Sequence, residues 1–116
     1  MGRSQREKGK RYERKSAALW RAIGVRAAHR GQQFSGRGAD DVVALPGCHH
    51  EVKARKSMAV APLWTQAVEE AGDRLPVLEL FWNGGPGLIC VRHQDLREFA
   101  AALHEALMNG GEPDAP

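Results

Sequence analysis

Asp41, Glu51 and Lys53 are the residues of this 116-residue chain whose types and spacing can do chemistry together. They lie in the run GADDVVALPGCHHEVKA, residues 38–54. Cys48 to Ala54 reads as a strand, and alternate side chains of a strand share a face. His49, Glu51 and Lys53 therefore point one way, and His50 and Val52 the other. An acid and a base two positions apart then reach one small site. Asp41 must arrive from the neighbouring strand, Asp41 to Leu45, across a turn at Pro46-Gly47. Two registers are open. A three-residue loop Leu45-Pro46-Gly47, or a bulge, sets Asp41 across from Glu51 and Ala44 across from Cys48. A strict two-residue turn sets Asp41 across from Val52 and puts the carboxylates on opposite faces.

In the first register, two carboxylates held close repel each other unless a cation or a proton lies between them. Oxygen ligands select a hard ion, and Mg²⁺ keeps several of its waters. The strand also offers the Val52 backbone carbonyl as a third ligand. Lys53 can then hold a water or stabilise charge on a phosphate.

The elements that must position these groups are readable from period and punctuation. Residues 4–23 form a helix with Tyr12, Ser16, Leu19, Trp20 and Ile23 on one face. Ser4 and Glu7 have the spacing of a capping box, and Gly24 stands where a C-cap glycine belongs. Val25 to His29 is a short strand, and residues 30–39 are a polar, glycine-containing loop. Pro62 opens a second helix that runs to Ala71 before Gly72. Pro76 to Trp82 and Gly87 to His93 are two further strands around Asn83-Gly84-Gly85-Pro86. Gln94 or Asp95 starts a last helix with Leu96, Phe99, Ala100, Leu103 and Leu107 on one side. The order α-β-β-β-α-β-β-α predicts an α/β domain, a mixed central sheet flanked by helices. Residues 1–108 make a single domain, and residues 109–116 a short disordered tail.

Composition agrees with one packed domain, at 42% hydrophobic and 27% charged residues. No window approaches the ~18 consecutive apolar residues of a membrane span, so no membrane partner is expected. The start MGRSQREKGKR lacks the apolar stretch of a signal peptide, and two cysteines make no disulfide framework, so the cytoplasm is the expected compartment. The net charge of +3 hides an asymmetry. Residues 1–60 hold 14 Lys/Arg against 5 Asp/Glu, a local +9, while residues 61–116 hold 3 against 9, a local −6. The basic half suits a phosphate backbone, and it also suits a plain solvated face.

The motifs in this order resemble the PD-(D/E)XK nucleases, and more narrowly the archaeal Holliday junction resolvases and their phage-encoded relatives. Glu13 matches that family's helix glutamate, Ser35-Gly36-Arg37-Gly38 its Gly/Ser loop, and Asp41-Val42-Val43 and Glu51-Val52-Lys53 its two strand motifs. The likeness covers residues 5–100. It departs at Asp40, where the family name has proline. The resemblance implies a restriction-endonuclease-like fold and a Mg²⁺-dependent endodeoxyribonuclease, with Mn²⁺ able to substitute. It also implies a homodimer making paired cuts in four-way junctions and other branched DNA, in a bacterial or archaeal cell or encoded by a phage. Glu13, Asp41, Glu51 and Lys53 are then the catalytic set, with Asp41, Glu51 and the Val52 carbonyl on the metal and Glu13 aiding a second metal or the water. Two rivals stand beside it: a nuclease of the same fold acting on flaps, single strands or duplex, and a DNA-binding module without chemistry.

Lys8, Lys10, Arg11 and Arg14 on the first helix are candidate phosphate contacts, as are Arg30, Arg37, Arg55 and Lys56, which surround the site in sequence. The resemblance of its loop implies Ser35 as a donor to phosphate, and it also reads as an ordinary loop serine. Gln66 follows Leu63 by three residues, leans toward the buried side of its helix, and by analogy with related nucleases is a candidate polar group at the metal. Cys90-Val-Arg-His93 has ligand-like spacing, but Cys48-His49-His50 alternates faces, which argues against a structural zinc. Cys90 reads as a buried strand residue, Trp20, Trp64 and Trp82 as core or interface anchors, and His49 as a neighbour of Glu51.

Overall fold

A computed structural model describes residues 2–31, 40–56 and 59–109, with only the backbone described for residues 2–5. The chain is an α/β fold in which one five-stranded mixed sheet carries three helices. The elements are α1 (Gly2–Ala22), β1 (His29–Arg30), β2 (Val42–Val43), β3 (Cys48–Ala54), α2 (Val60–Ala71), β4 (Leu75–Phe81), β5 (Leu88–Cys90) and α3 (Leu96–Met108), the last entered through a 3-10 turn at His93–Asp95. The strands lie side by side in chain order. β1, β2 and β3 pair antiparallel, β3 and β4 pair parallel through the α2 crossover, and β5 returns antiparallel on β4.

Strand alternation divides the core in two. Cys48 and Val52 of β3, with Leu75, Val77 and Phe81 of β4, face one side and pack with Tyr12, Ala17 and Trp20 of α1 and with Phe99, Ala102, Leu103 and Ala106 of α3. Leu78 and Leu80 face the other side and pack on Leu63, Trp64 and Ala67 of α2 and on Cys90. Every residue of β4 is consequently buried. Pro76 is tolerated within it because the Leu75 N–H already donates to Gly47 on the β3 side. By alternation, the N–H that proline lacks would face the β5 side, and β5 reaches only Leu78 to Leu80.

One charged residue lies inside this apolar layer. Glu79 is 3% exposed at the middle of β4, on the α1 side. Its carboxylate accepts from the Ser16 hydroxyl, from Trp20 Nε1 at 2.8 Å and from His50 Nδ1 at 2.8 Å. The Leu45 N–H donates to His50 Nε2, which leaves the ring proton on Nδ1 for Glu79. Trp20 also meets the His50 ring edge-on, with centroids 5.3 Å apart. A buried carboxylate is tolerable only when its lone pairs are filled, and here the donors come from α1 and β3. The network fixes how α1 lies on the sheet.

Several expected boundaries move. α1 begins at Gly2, so Ser4 lies inside the helix and cannot be its N-cap. Gly24 does follow the helix end, with φ +117 and its N–H on the Arg21 carbonyl. The strand expected over Val25–His29 shortens to His29–Arg30, because Val25 to Ala28 closes a turn whose Val25 and Ala28 fill the core. The strand expected over Asp41–Leu45 shortens to Val42–Val43. α2 starts two residues before Pro62, which still falls in its first turn, and β5 is only Leu88–Cys90. On α1, Tyr12, Ser16 and Trp20 are buried, but Leu19 and Ile23 are exposed at 47% and 57%. On α3 the packed stripe is Phe99, Ala102, Leu103 and Ala106, while Leu96, Ala100 and Leu107 are exposed. Cys90 is half-buried rather than buried, since β5 is an edge strand. Of the expected disordered tail 109–116, Asn109 caps α3 with its N–H on the Glu105 carbonyl, and residues 110–116 lie outside the described residues.

Removing the Glu79 carboxylate strands three donors in the core. Glu79→Ala is expected to lose about 3–5 kcal/mol of unfolding free energy. Trp20→Phe, which deletes one hydrogen bond to the charge and some packing, is expected to lose about 1.5–3 kcal/mol. Urea unfolding followed by circular dichroism measures both, and a loss below about 0.5 kcal/mol for Glu79→Ala rejects the structural role given to it.

Candidate functional site

The site is set by the register of β2 on β3. Val42 pairs with His50, and carrying that register one residue outward puts Asp41 opposite Glu51. Of the two registers open to the sequence, this is the one with Leu45-Pro46-Gly47 in the loop, and Gly47 supplies the positive φ of +72 that the turn needs. Val42 is wholly buried in the α1-side core, so Asp41 turns to the opposite side, the side of His49, Glu51 and Lys53. Backbone contacts fix it there. The Asp41 N–H donates to the His50 carbonyl, and Asp41 Oδ2 accepts the Val52 N–H at 2.8 Å. Gly31 packs so closely on the Asp40 carbonyl that a Cβ at position 31 would collide with it, while the Gly31 N–H donates to the Asp41 carbonyl.

Glu51 is 6% exposed and held at both oxygens. His49 Nε2 lies 2.9 Å from Oε1, and Lys53 Nζ lies 3.3 Å from Oε2. Glu13 enters from α1 as a third buried carboxylate, and Arg30 Nε donates to its Oε1 at 2.8 Å. The three acids share one electrostatic environment. Burial is the main cause that raises the Asp41 pKa, to about 7, with repulsion from Glu51 next. The Val52 N–H and Lys53 pull it down, and Glu13 pushes it up. Burial likewise raises Glu13, against the pull of Arg30 and with a contribution from Glu51. An acid cluster of this kind is relieved by a proton or by a cation.

A further set of groups extends the cluster. His49 is fully buried, and its Nδ1 lies 2.6 Å from Asp40 Oδ1. Asp40 is gripped by Arg74 through two hydrogen bonds, at 2.7 and 3.1 Å. Burial alone would raise the Asp40 pKa, but Arg74 and then His49 outweigh it and the net shift is down. Burial alone would lower His49, but Glu51 and then Asp40 outweigh it and the net shift is up. A histidine with a carboxylate at each nitrogen is thus favoured as the imidazolium, donating at both ends.

The other expected residues fall as follows. Lys10, Arg11 and Arg14 are exposed on α1 and Lys8 is half-exposed. Arg11 stands over the Tyr12 ring, 5.2 Å from its centroid. Arg55 and Lys56 are exposed just beyond β3. Arg30 is engaged with Glu13. Ser35 and Arg37 lie outside the described residues, as does the rest of the segment 32–39. Gln66 is exposed, which corrects its expected lean toward the core. The inward stripe of α2 runs Leu63, Ala67, Ala71, at intervals of four, and Gln66 falls to one side of it. Asp40 and Arg74 carried no motif that would have marked them as neighbours of His49, since their partnership spans 34 residues.

The donor set, carboxylate oxygens with a strand carbonyl between them, has the hardness that Mg²⁺ or Mn²⁺ selects. Among the described residues, no three His, Cys, Asp or Glu side chains already form a metal cage. Two carboxylates completed by waters suit Mg²⁺, which keeps part of its hydration shell. His49 and His50 face opposite sides and are committed to Glu51 and Glu79, respectively. Comparison of the chain with models of known protein families, with curated proteins and with solved structures finds no match.

The Asp41 shift has a signed consequence. The folded chain holds a proton on Asp41 up to about pH 7, whereas the ordinary carboxyl gives it up near 3.8. The folded state therefore binds the extra proton in that window, and stability falls as pH rises through it. The difference corresponds to about 4 kcal/mol. Asp41→Asn, which is neutral throughout and can still accept the Val52 N–H, is expected to be more stable than the parent above about pH 7 without divalent ions. The gap should close toward about pH 4. Urea unfolding across this range checks it, and a pH-independent gap contradicts the assignment.

Proposed function

We propose that this chain is a divalent-metal-dependent endonuclease with a restriction-endonuclease-like fold, hydrolysing phosphodiester bonds in branched DNA, with four-way junctions as the preferred substrate. The observation that carries the reading is the common face of Asp41, Glu51 and Lys53, two buried acids and a cation brought together by one strand register. The element order and the mixed sheet are compatible with that fold. The sequence likeness supports the narrower substrate class.

In this reading, Asp41, Glu51 and the Val52 carbonyl hold the metal, and Glu13 orients water or supports a second ion. Mg²⁺, when bound, supplies a lowered water pKa and neutralises charge developing on the phosphate. Lys53, already beside Glu51, holds the attacking water or a phosphate oxygen. Arg14, Arg55 and Lys56 offer exposed cations to the flanking backbone. Contacts to phosphate position DNA without reading bases, which suits selection by shape. A second copy of the chain would supply the second cut. An apolar groove between Leu19, Ile23, Phe81, Leu88 and Ile89, next to the edge strand β5, is consistent with such a partner.

The test is a synthetic four-way junction incubated with the protein and Mg²⁺. Paired symmetric nicks are expected, with at least about 10²-fold less cleavage in Asp41→Asn and in Glu51→Gln. If about six cations contact phosphates, junction affinity should fall about 10³-fold between 50 and 200 mM salt. Equal cleavage of flaps, single strands or linear duplex in competition shifts the reading to another substrate. Full activity in both variants removes the metal-site assignment, and binding with no response to Mg²⁺ favours a non-catalytic DNA-binding module.

A further inference from the structure

We infer that His49 is a positioning residue that sets the separation of the Asp41 and Glu51 carboxyls, with Asp40 and Arg74 as its anchor. The inference rests on the nuclease reading above and names the device that holds that site in shape.

The geometry is a closed path. Asp41 stands just before β2 with its carboxyl on the Val52 N–H, and Glu51 stands on β3, where the ladder alone does not fix how its side chain leans. His49 shares the Glu51 face, two residues earlier on β3, and places Nε2 2.9 Å from Glu51 Oε1. Its other nitrogen lies 2.6 Å from Asp40, the residue covalently next to Asp41. One rigid ring therefore ties the segment that carries Asp41 to the carboxyl of Glu51. Imidazole is a stiff, planar spacer, so this tie sets a distance as well as a contact. His49 is 0% exposed, so the ring itself is shielded from bulk solvent.

Arg74 completes the path from outside. It leaves the turn between α2 and β4 and grips both oxygens of Asp40, a planar fork on a planar carboxylate. Asp40 is thereby held against the ring and kept from swinging toward Asp41. Lys53 takes the remaining Glu51 oxygen at 3.3 Å, so the carboxyl is fixed in its plane from two sides. Groups that orient metal-binding carboxylates in this way typically change metal affinity or activity by about 10–100-fold when removed.

The experiment compares His49→Ala, Asp40→Ala, Asp40→Asn and Arg74→Ala with the parent protein. It reads Mg²⁺ and Mn²⁺ binding by calorimetry without DNA, and cleavage of a four-way junction as Mg²⁺ is varied. His49→Ala and Asp40→Ala are expected to weaken divalent binding by about 10–100-fold and to raise the half-saturating Mg²⁺ in parallel, with KM for the junction little changed. Asp40→Asn, whose amide oxygen still accepts from His49, should recover most of the Asp40→Ala loss. Arg74 is 39% exposed at its side chain, so Arg74→Ala should fold even if the buried histidine cannot be replaced, and it should give a smaller shift of the same sign. Unchanged divalent binding and half-saturation in Arg74→Ala and in every other variant that folds overturn the inference and leave the nuclease reading intact. A parent protein that binds no divalent ion and cuts no DNA overturns both.

Discussion

The pairing of Val42 with His50 decides which side of the sheet each charged group of this protein occupies. Side chains alternate along β3, so a slip by one residue would carry Asp41 into the α1-side core and leave Glu51 facing a valine. The slip is opposed from several directions. Val42 would leave a fully buried site, and the Val52 N–H would lose the Asp41 carboxyl. Gly31, pressed on the Asp40 carbonyl, would no longer match the chain it packs against. The chemistry of the site therefore depends on apolar burial and turn geometry that have no chemistry of their own.

The same alternation gives β3 two neighbouring histidines with opposite duties. His50 faces α1 and donates its Nδ1–H to Glu79, the carboxylate that also accepts from Ser16 and Trp20 of α1. His49 faces the site and spans two acids. Each buried acid here meets at least one donor or cation, Glu79 from Ser16, Trp20 and His50, Glu13 from Arg30 and Glu51 from His49 and Lys53. Asp41 is the exception in degree, because burial and like charge outweigh its donors and raise its pKa to about 7. A fold that holds an acid in that condition gives up stability at neutral pH on a group that a cation would relieve.

The local parts of this arrangement were legible in the sequence. The β3 strand, the shared face of His49, Glu51 and Lys53, and the two possible registers follow from period and turn chemistry alone. Which register holds was not legible, because it depends on the turn at Gly47 and on burial of Val42 by α1. Glu79 was invisible for a related reason. In Leu78-Glu79-Leu80 it reads as the outward residue of a half-exposed strand, yet β4 is covered on both faces and its acid is filled by donors far away in sequence. Gln66 was misplaced because spacing by three and spacing by four both lie near one helix face, and only packing against β4 chooses between them. Asp40, His49 and Arg74 meet only after the α2 crossover has folded, so no short window of sequence contains them.

That crossover bears on how the molecule comes into being. β3 and β4 are parallel and are joined through α2, so the central pair of the sheet cannot zip from a tight hairpin. The loop from β3 to β4 must close first, and non-local pairings of this kind slow folding. The ties that complete the site region reach across it, from Asp40 to Arg74 and from Ser16 to Glu79. During synthesis, α1 emerges tens of residues before the strand that gives it a floor. A nascent chain would therefore display its cationic helix before Glu79 arrives to bind it and before Arg74 arrives to grip Asp40.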